Sequence, residues 1–136
     1  MATVLMVDDV PLFRDVVLHA LQRAGHQVFC AANGVAAMET LKTVRPDLIL
    51  LDLAMPEMNG LAFLRQLRAD RALGRTPVIV VSALSETPEV KEATKIGVQG
   101  HLLKSRFSLE QLIAQVKRVA PAFSRPGNTT PAAKAG

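Results

Sequence analysis

The sequence predicts an α/β fold of the doubly wound kind, a parallel sheet covered by helices on both faces. Three observations predict it. Short runs such as Val78-Ile79-Val80-Val81 are apolar throughout, as strands are when both sheet faces are covered. Between them lie segments whose apolar residues return every three or four positions, the period of an amphipathic helix. The two kinds of segment alternate strictly, an order that right-handed crossovers turn into one parallel sheet.

Thr3 to Val7 is the first strand, and Leu12 to Arg23 the first helix. Its apolar residues Leu12, Phe13, Val16, Val17, Ala20 and Leu21 follow the helical period, and Gly25 stops it. Gln27 to Ala31 makes a shorter strand, with Cys30 expected as a small core residue. Gly34 to Val44 is the second helix, closed by Pro46. Leu48 to Leu51 is the third strand, and the charge of Asp52 follows it directly. After the loop Met55-Pro56-Glu57-Met58-Asn59, whose methionines pack or edge a surface, Gly60 to Ala69 forms the third helix with Leu61, Leu64 and Leu67 inward. Pro77 to Val81 is the fourth strand. Thr87 caps the fourth helix with Pro88 at its first position, and Gly97 ends it. His101 to Leu103 is the last strand. Ser108 and Gln111 make a capping box for the last helix, which Pro121 is expected to end. Residues 1–120 form one domain, and residues 121–136, rich in proline and small side chains, form a flexible C-terminal tail.

Composition excludes several classes of function. A chain of 136 residues with 49% hydrophobic and 21% charged residues is not disordered throughout. Its one cysteine makes no internal disulfide, and no Cys/His spacing suggests zinc. No apolar run is long enough to span a bilayer, and the N-terminus lacks the pattern of a signal peptide. Cytoplasm is the expected compartment, without membrane insertion. The net charge of +4 is weak support for a nucleic-acid partner, because neither Trp nor Tyr offers a stacking platform. Part of the excess, moreover, lies in Arg118, Arg125 and Lys134, at or past the domain's end. His19 and His26 are expected at the surface or at helix ends.

In such folds the working crevice lies at the carboxyl ends of the strands, where strand order reverses. The first strand ends in Asp8 and Asp9, the third in Asp52, the fourth in Ser82 and the fifth in Lys104. Taken singly, each has a plain reading: Asp8 and Asp9 near a helix N-terminus, Ser82 in a loop, Lys104 in solvent. Together they are different. Carboxylates crowded on one rim repel one another unless a cation intervenes. Oxygen ligands with few protein donors suit Mg²⁺, which keeps several waters and favours a phosphoryl partner.

Val7-Asp8-Asp9, Asp52 with Met55-Pro56 and Gly60, Ser82-Ala83 and Lys104 together resemble the receiver domain of two-component response regulators, over residues 3 to about 120. The resemblance implies a flavodoxin-like (βα)5 fold with a five-stranded parallel sheet in the order 2-1-3-4-5. It implies that Asp52 is the phosphoacceptor, supplied by a sensor histidine kinase or a histidine phosphotransfer protein. Asp9, Asp52 and the backbone carbonyl of Ala54 would hold Mg²⁺, with Asp8 acting through metal-bound water. Lys104 would pair with Asp52 at rest and with a phosphoryl oxygen afterwards, and Ser82 would swing in to meet that group. His101, three residues before the lysine, stands where the family carries an aromatic switch side chain; being polar, it needs a hydrogen-bond partner if buried. Output would pass through the fourth helix, fifth strand and fifth helix, where Lys91, Lys95 and Arg106 could meet an acidic downstream protein. A stand-alone phosphorylation switch is expected, rather than an enzyme acting on other molecules.

The sequence departs from the family pattern in three places. Ser105 follows the lysine where proline is usual; a cis bond before a non-proline costs about 2.5–4 kcal/mol, so a trans bond is expected. Ala54 and Leu84 are apolar where the family often has polar groups beside the incoming water. Two rival readings remain: a degenerate receiver that signals by protein binding without phosphate, and an aspartyl-phosphate phosphohydrolase. The first is weakened by the presence of every site residue, and the second by Ala54, where a general acid would stand. Asp8-Asp9-Val10-Pro11 has no glycine-rich turn for a dinucleotide.

Overall fold

Strand side chains alternate between the two faces of a sheet, so a strand buried on both must be apolar at every position. The computed structural model, which describes residues 2–54, 59–83, 87–106 and 108–123, follows that rule in the middle of the central strands, with the buried polar residues Thr3, Asp52 and Ser82 at strand ends. Its elements run β1 (Thr3–Val7), α1 (Pro11–Arg23), β2 (Gln27–Ala31), α2 (Gly34–Thr40), β3 (Leu48–Asp52), α3 (Gly60–Ala69), β4 (Val78–Ser82), α4 (Pro88–Ile96), β5 (Gly100–Leu103) and α5 (Leu109–Phe123). The strands are parallel, in the order β2-β1-β3-β4-β5. The doubly wound, flavodoxin-like arrangement is therefore observed.

Alternation divides the interior into two cores. Leu5, Val7, Ile49, Leu51, Val78 and Val80 pack with Ala37 of α2, Phe63, Leu64 and Leu67 of α3, and Val90 and Ala93 of α4. Val4, Met6, Leu48, Leu50, Ile79, Val81 and Leu102 pack with Val17 and Leu21 of α1 and with Leu112, Val116 and Val119 of α5. Each fully buried side chain of this size contributes roughly 1.5–3 kcal/mol. Among the described residues no helix is long and apolar enough to cross a membrane.

Local signals place most boundaries. Thr87 accepts from the Val90 N–H with Pro88 next to it, and Gly97 ends α4 with φ at +120°. Ser108 and Gln111 exchange both bonds of the capping box. Four expectations need correction. The second helix ends at Thr40, not Val44: Lys42 and Thr43 bond three residues back, to Glu39 and Thr40, so the chain tightens into turns while Leu41 and Val44 stay buried. The last helix runs past Pro121 to Phe123; a proline so near a helix end removes one donor from the final turns without ending them. Cys30 is exposed, because β2 is an edge strand with a neighbour on one side only. On α1, Leu12 is 74% exposed and Val16 also faces out, while Val17 and Leu21 are buried. The apolar stripe there is wider than the face that packs.

One half-buried cation ties three segments together. Arg68 of α3 donates to the carbonyls of Gly74 and Thr76 ahead of β4 and twice to that of Gly97 at the end of α4. Burial pulls its pKa down, yet the carbonyls satisfy its donors.

Candidate functional site

The parallel sheet brings its carboxyl ends to one rim, and the polar residues collect there. Asp8 is fully buried, Asp52 is 4% exposed, Ser82 is buried, and Asp9 and Lys104 are half-buried. The Asp8 Oδ1 accepts from the Val10 N–H at 2.8 Å, while α1 has Val10 at its N-cap and no side-chain cap. The Asp pair therefore stands just before α1 without capping it. Asp52 Oδ1 accepts from the Ala54 N–H at 3.1 Å. Gly60, the first residue of α3, packs directly on the end of β3: a Cβ there would stand 2.5 Å from the Asp52 carbonyl oxygen and the Leu53 Cα.

Lys104 reaches across this rim. Its Nζ lies 2.7 Å from Asp8 Oδ2, 3.4 Å from Asp52 Oδ2 and 4.8 Å from the centre of the Phe13 ring. The expected resting partner, Asp52, is thus the more distant one. Asp8 is fully buried with Oδ1 already bonded to the chain, so its other oxygen needs the ammonium more. Burial alone would lower the Lys104 pKa, but the hydrogen bond to Asp8 and the charges of Asp52 and Asp8 outweigh it and raise the value. Asp52 moves the other way. Burial and then the charge of Asp8 raise its pKa to about 6, against the opposing pull of the Ala54 N–H and Lys104. No cis peptide occurs among the described residues, so Lys104–Ser105 is trans, as a non-proline requires.

The polar ring of His101 has the partner its burial demands. Its Nε2 lies 2.8 Å from Ser82 Oγ. Val80 is paired with His101 and Ser82 with Leu103, so the serine and the ring share a sheet face. Burial lowers the His101 pKa.

Asp8, Asp9 and Asp52 each offer an oxygen, all within 4.8 Å of one another. This donor set fits a hard divalent cation such as Mg²⁺. Asp9 has no hydrogen-bond or ion-pair partner among the described residues, whereas both Asp8 oxygens are engaged. Asp9 is therefore better placed than Asp8 for direct ligation, while the Asp52 oxygens are engaged by the Ala54 N–H and, at a longer distance, by Lys104. An open cleft of about 620 Å³ is lined by Asp9, Asp52, Ala54, Ser82 and Lys104, and also by Val10, Asn59, Thr87, Glu89 and Val90. The last group, and Phe13 over the ammonium, were not singled out from the sequence as site residues. Thr87 and Glu89 could have been, since the start of a helix following a strand's carboxyl end faces the same rim. Lys91, Lys95 and Arg106 are exposed, on α4 and after β5. Met55, Pro56, Met58, Leu84 and residues 124–136 lie outside the described residues.

Comparison with known proteins adds three findings. Residues 4–117 match the family described as response regulator receiver domain. Among curated proteins, the chain is 36% identical over 115 residues to the transcriptional regulatory protein CrdR of Helicobacter pylori, covering 85% of this chain and 53% of that protein. The chain thus spans about half of that regulator's length. It is 31% identical to sporulation initiation phosphotransferase F of Bacillus subtilis, covering 87% of this chain and 93% of that one. Among solved structures, the signal receiver domain of a signal transduction histidine kinase from Syntrophus aciditrophicus superposes with a TM-score of 0.84 at 32% identity, covering 93% of this chain and 95% of that one.

Proposed function

The chain belongs to the response regulator receiver domain family, and from that premise we propose that it is a Mg²⁺-dependent phosphorylation switch with Asp52 as phosphoacceptor. The observation that carries this reading is the meeting of Asp8, Asp9, Asp52 and Lys104 on one rim, with Ser82 in the same cleft. An Asp52 oxygen attacks the phosphorus of a kinase phosphohistidine. The new O–P bond forms as the N–P bond breaks, and the electron pair returns to the donor's imidazole. Bound at Asp9, Asp52 and the Ala54 carbonyl, Mg²⁺ would neutralise charge on the transferring oxygens. Lys104 supplies a second positive charge there, already oriented by Asp8 and the Phe13 face. Ser82 donates its hydroxyl proton to a phosphoryl oxygen, and His101, in contact with it, carries the change toward α4. The exposed Lys91, Lys95 and Arg106 suit an acidic protein target. The likeness to a phosphotransferase supports output by contact or relay.

The test is incubation with a radiolabelled small phosphodonor and Mg²⁺. One phosphoryl group per chain is expected, absent in Asp52→Asn and greatly reduced by chelator. Equal labelling of the Asn variant overturns the assignment.

A further inference from the structure

The segment that delivers Asp8 and Asp9 brings a third group to the rim. Pro11 opens α1, so Phe13 stands in its first turn. Its half-buried ring packs against the core beneath α1 and α5, and the Lys104 Nζ lies 4.8 Å from the ring centre. A ring face attracts an ammonium within about 6 Å, and more strongly where water is excluded. The lysine side chain is 20% exposed. Its backbone is fixed as well, the N–H donating to the Ser82 carbonyl at 2.8 Å. What remains to be placed is the end of a flexible stem.

The carboxylates alone do not secure that end. Asp8 at 2.7 Å and Asp52 at 3.4 Å share the ammonium. A divalent cation on the same rim would draw on the same negative charge and repel the lysine. The ring face is different. A hard cation prefers oxygen ligands and keeps its own waters, so it does not compete for the π electrons. We propose that Phe13 is a positioning residue for phosphoryl transfer: its ring face keeps the Lys104 ammonium over the rim when a divalent cation takes up the carboxylates. The role rests on the phosphoacceptor reading above and goes beyond it, since it assigns part of the rim's work to an uncharged side chain. Attraction to a ring face fixes no single N–H direction, so the ammonium can turn from Asp52 to a phosphoryl oxygen without leaving the ring.

The experiment replaces Phe13 with monofluoro- and trifluorophenylalanine, which keep the ring's shape while withdrawing electron density from its face, and with leucine (Phe13→Leu). In metal-free protein, denaturant unfolding should show stability falling with each step of fluorination, and no such trend in a Lys104→Met background. The coupling of Phe13→Leu with Lys104→Met should be about twofold to thirtyfold in the unfolding equilibrium constant. With Mg²⁺ and a small phosphodonor, the labelling rate should fall in the same order, while Mg²⁺ affinity measured by calorimetry does not weaken. A ring that only fills space predicts no dependence on fluorination, or the same dependence in both backgrounds, and either result overturns the proposal. So does weaker Mg²⁺ binding in the fluorinated proteins, the sign of a ring that supports the carboxylates and not the lysine. If the wild type itself takes no label, the phosphoacceptor reading falls and this role with it; normal labelling without a lysine-dependent fluorine trend removes this role alone.

Discussion

Asp52 is buried next to Asp8, and its pKa is raised to about 6, by burial first and by the Asp8 charge second. An aspartate in an unfolded chain titrates near 3.9. Between those values the folded protein holds the extra proton, so stability falls as pH rises. The contribution is fully present below about pH 4 and gone above about pH 6, on the order of 3 kcal/mol in all. In metal-free protein, urea unfolding across that range should show this slope, and Asp52→Asn should lose it. A slope of opposite sign would mean that Lys104 dominates the site. Ala54 sets a second expectation. Its methyl group cannot bond the water that must attack in line with the phosphorus–oxygen bond, so the acyl phosphate should hydrolyse slowly. Ala54→Asn or Ala54→Glu should shorten its lifetime, by up to roughly tenfold, measured as loss of label from purified phosphoprotein at fixed Mg²⁺. A wild type that already loses its label fastest contradicts this account.

Among the elements, the start of α3 packs tightly on the end of β3. Two backbone atoms lie 2.5 Å from where a Gly60 Cβ would stand, and neither belongs to a flexible side chain. Gly60→Ala should cost about 1–3 kcal/mol and slow labelling as well, since the shift falls on Asp52 itself. Gly25→Ala is the control: its φ is +95°, but nothing lies within 4 Å of an added Cβ, so it should lower stability and leave labelling alone. Denaturant unfolding beside the labelling assay separates the two. At this scale the sequence was largely legible. Alternating patterns located every strand and helix, and Thr87-Pro88 and Ser108 with Gln111 marked helix starts because capping is local. The end of α2 was not legible, since Leu41 and Val44 keep the apolar period through turns that are no longer helix. At the site, the five polar residues at four strand ends were legible because topology alone sends them to one rim. The Lys104–Asp8 preference and the Ser82–His101 bond were not, because each joins residues far apart in the chain and depends on register and rotamer.

For the molecule as a whole, the crowded carboxylates make the acidic rim a point of strain that a cation relieves. Mg²⁺ at ten times its dissociation constant should stabilise the fold by about 1.4 kcal/mol. Metal-free Asp52→Asn should melt higher than the wild type at pH 8 and gain little from Mg²⁺. A wild-type melting temperature indifferent to Mg²⁺ would count against metal at this rim. The same architecture also has a mechanical consequence. Arg68 grips the Gly97 carbonyl at one end of α4, and the other end begins at Thr87 on the cleft. The helix between them is about 13 Å long. On the proposed function it would act as a lever, with its fulcrum at the guanidinium and its Thr87 end bordering the cleft where Asp52 would carry a phosphoryl group. Displacement therefore grows toward Thr87, and hydrogen exchange should show amide protection decreasing from Ile96 toward Val90. Arg68→Ala should flatten that gradient, because a lever without its fulcrum drifts as a body and transmits no angle.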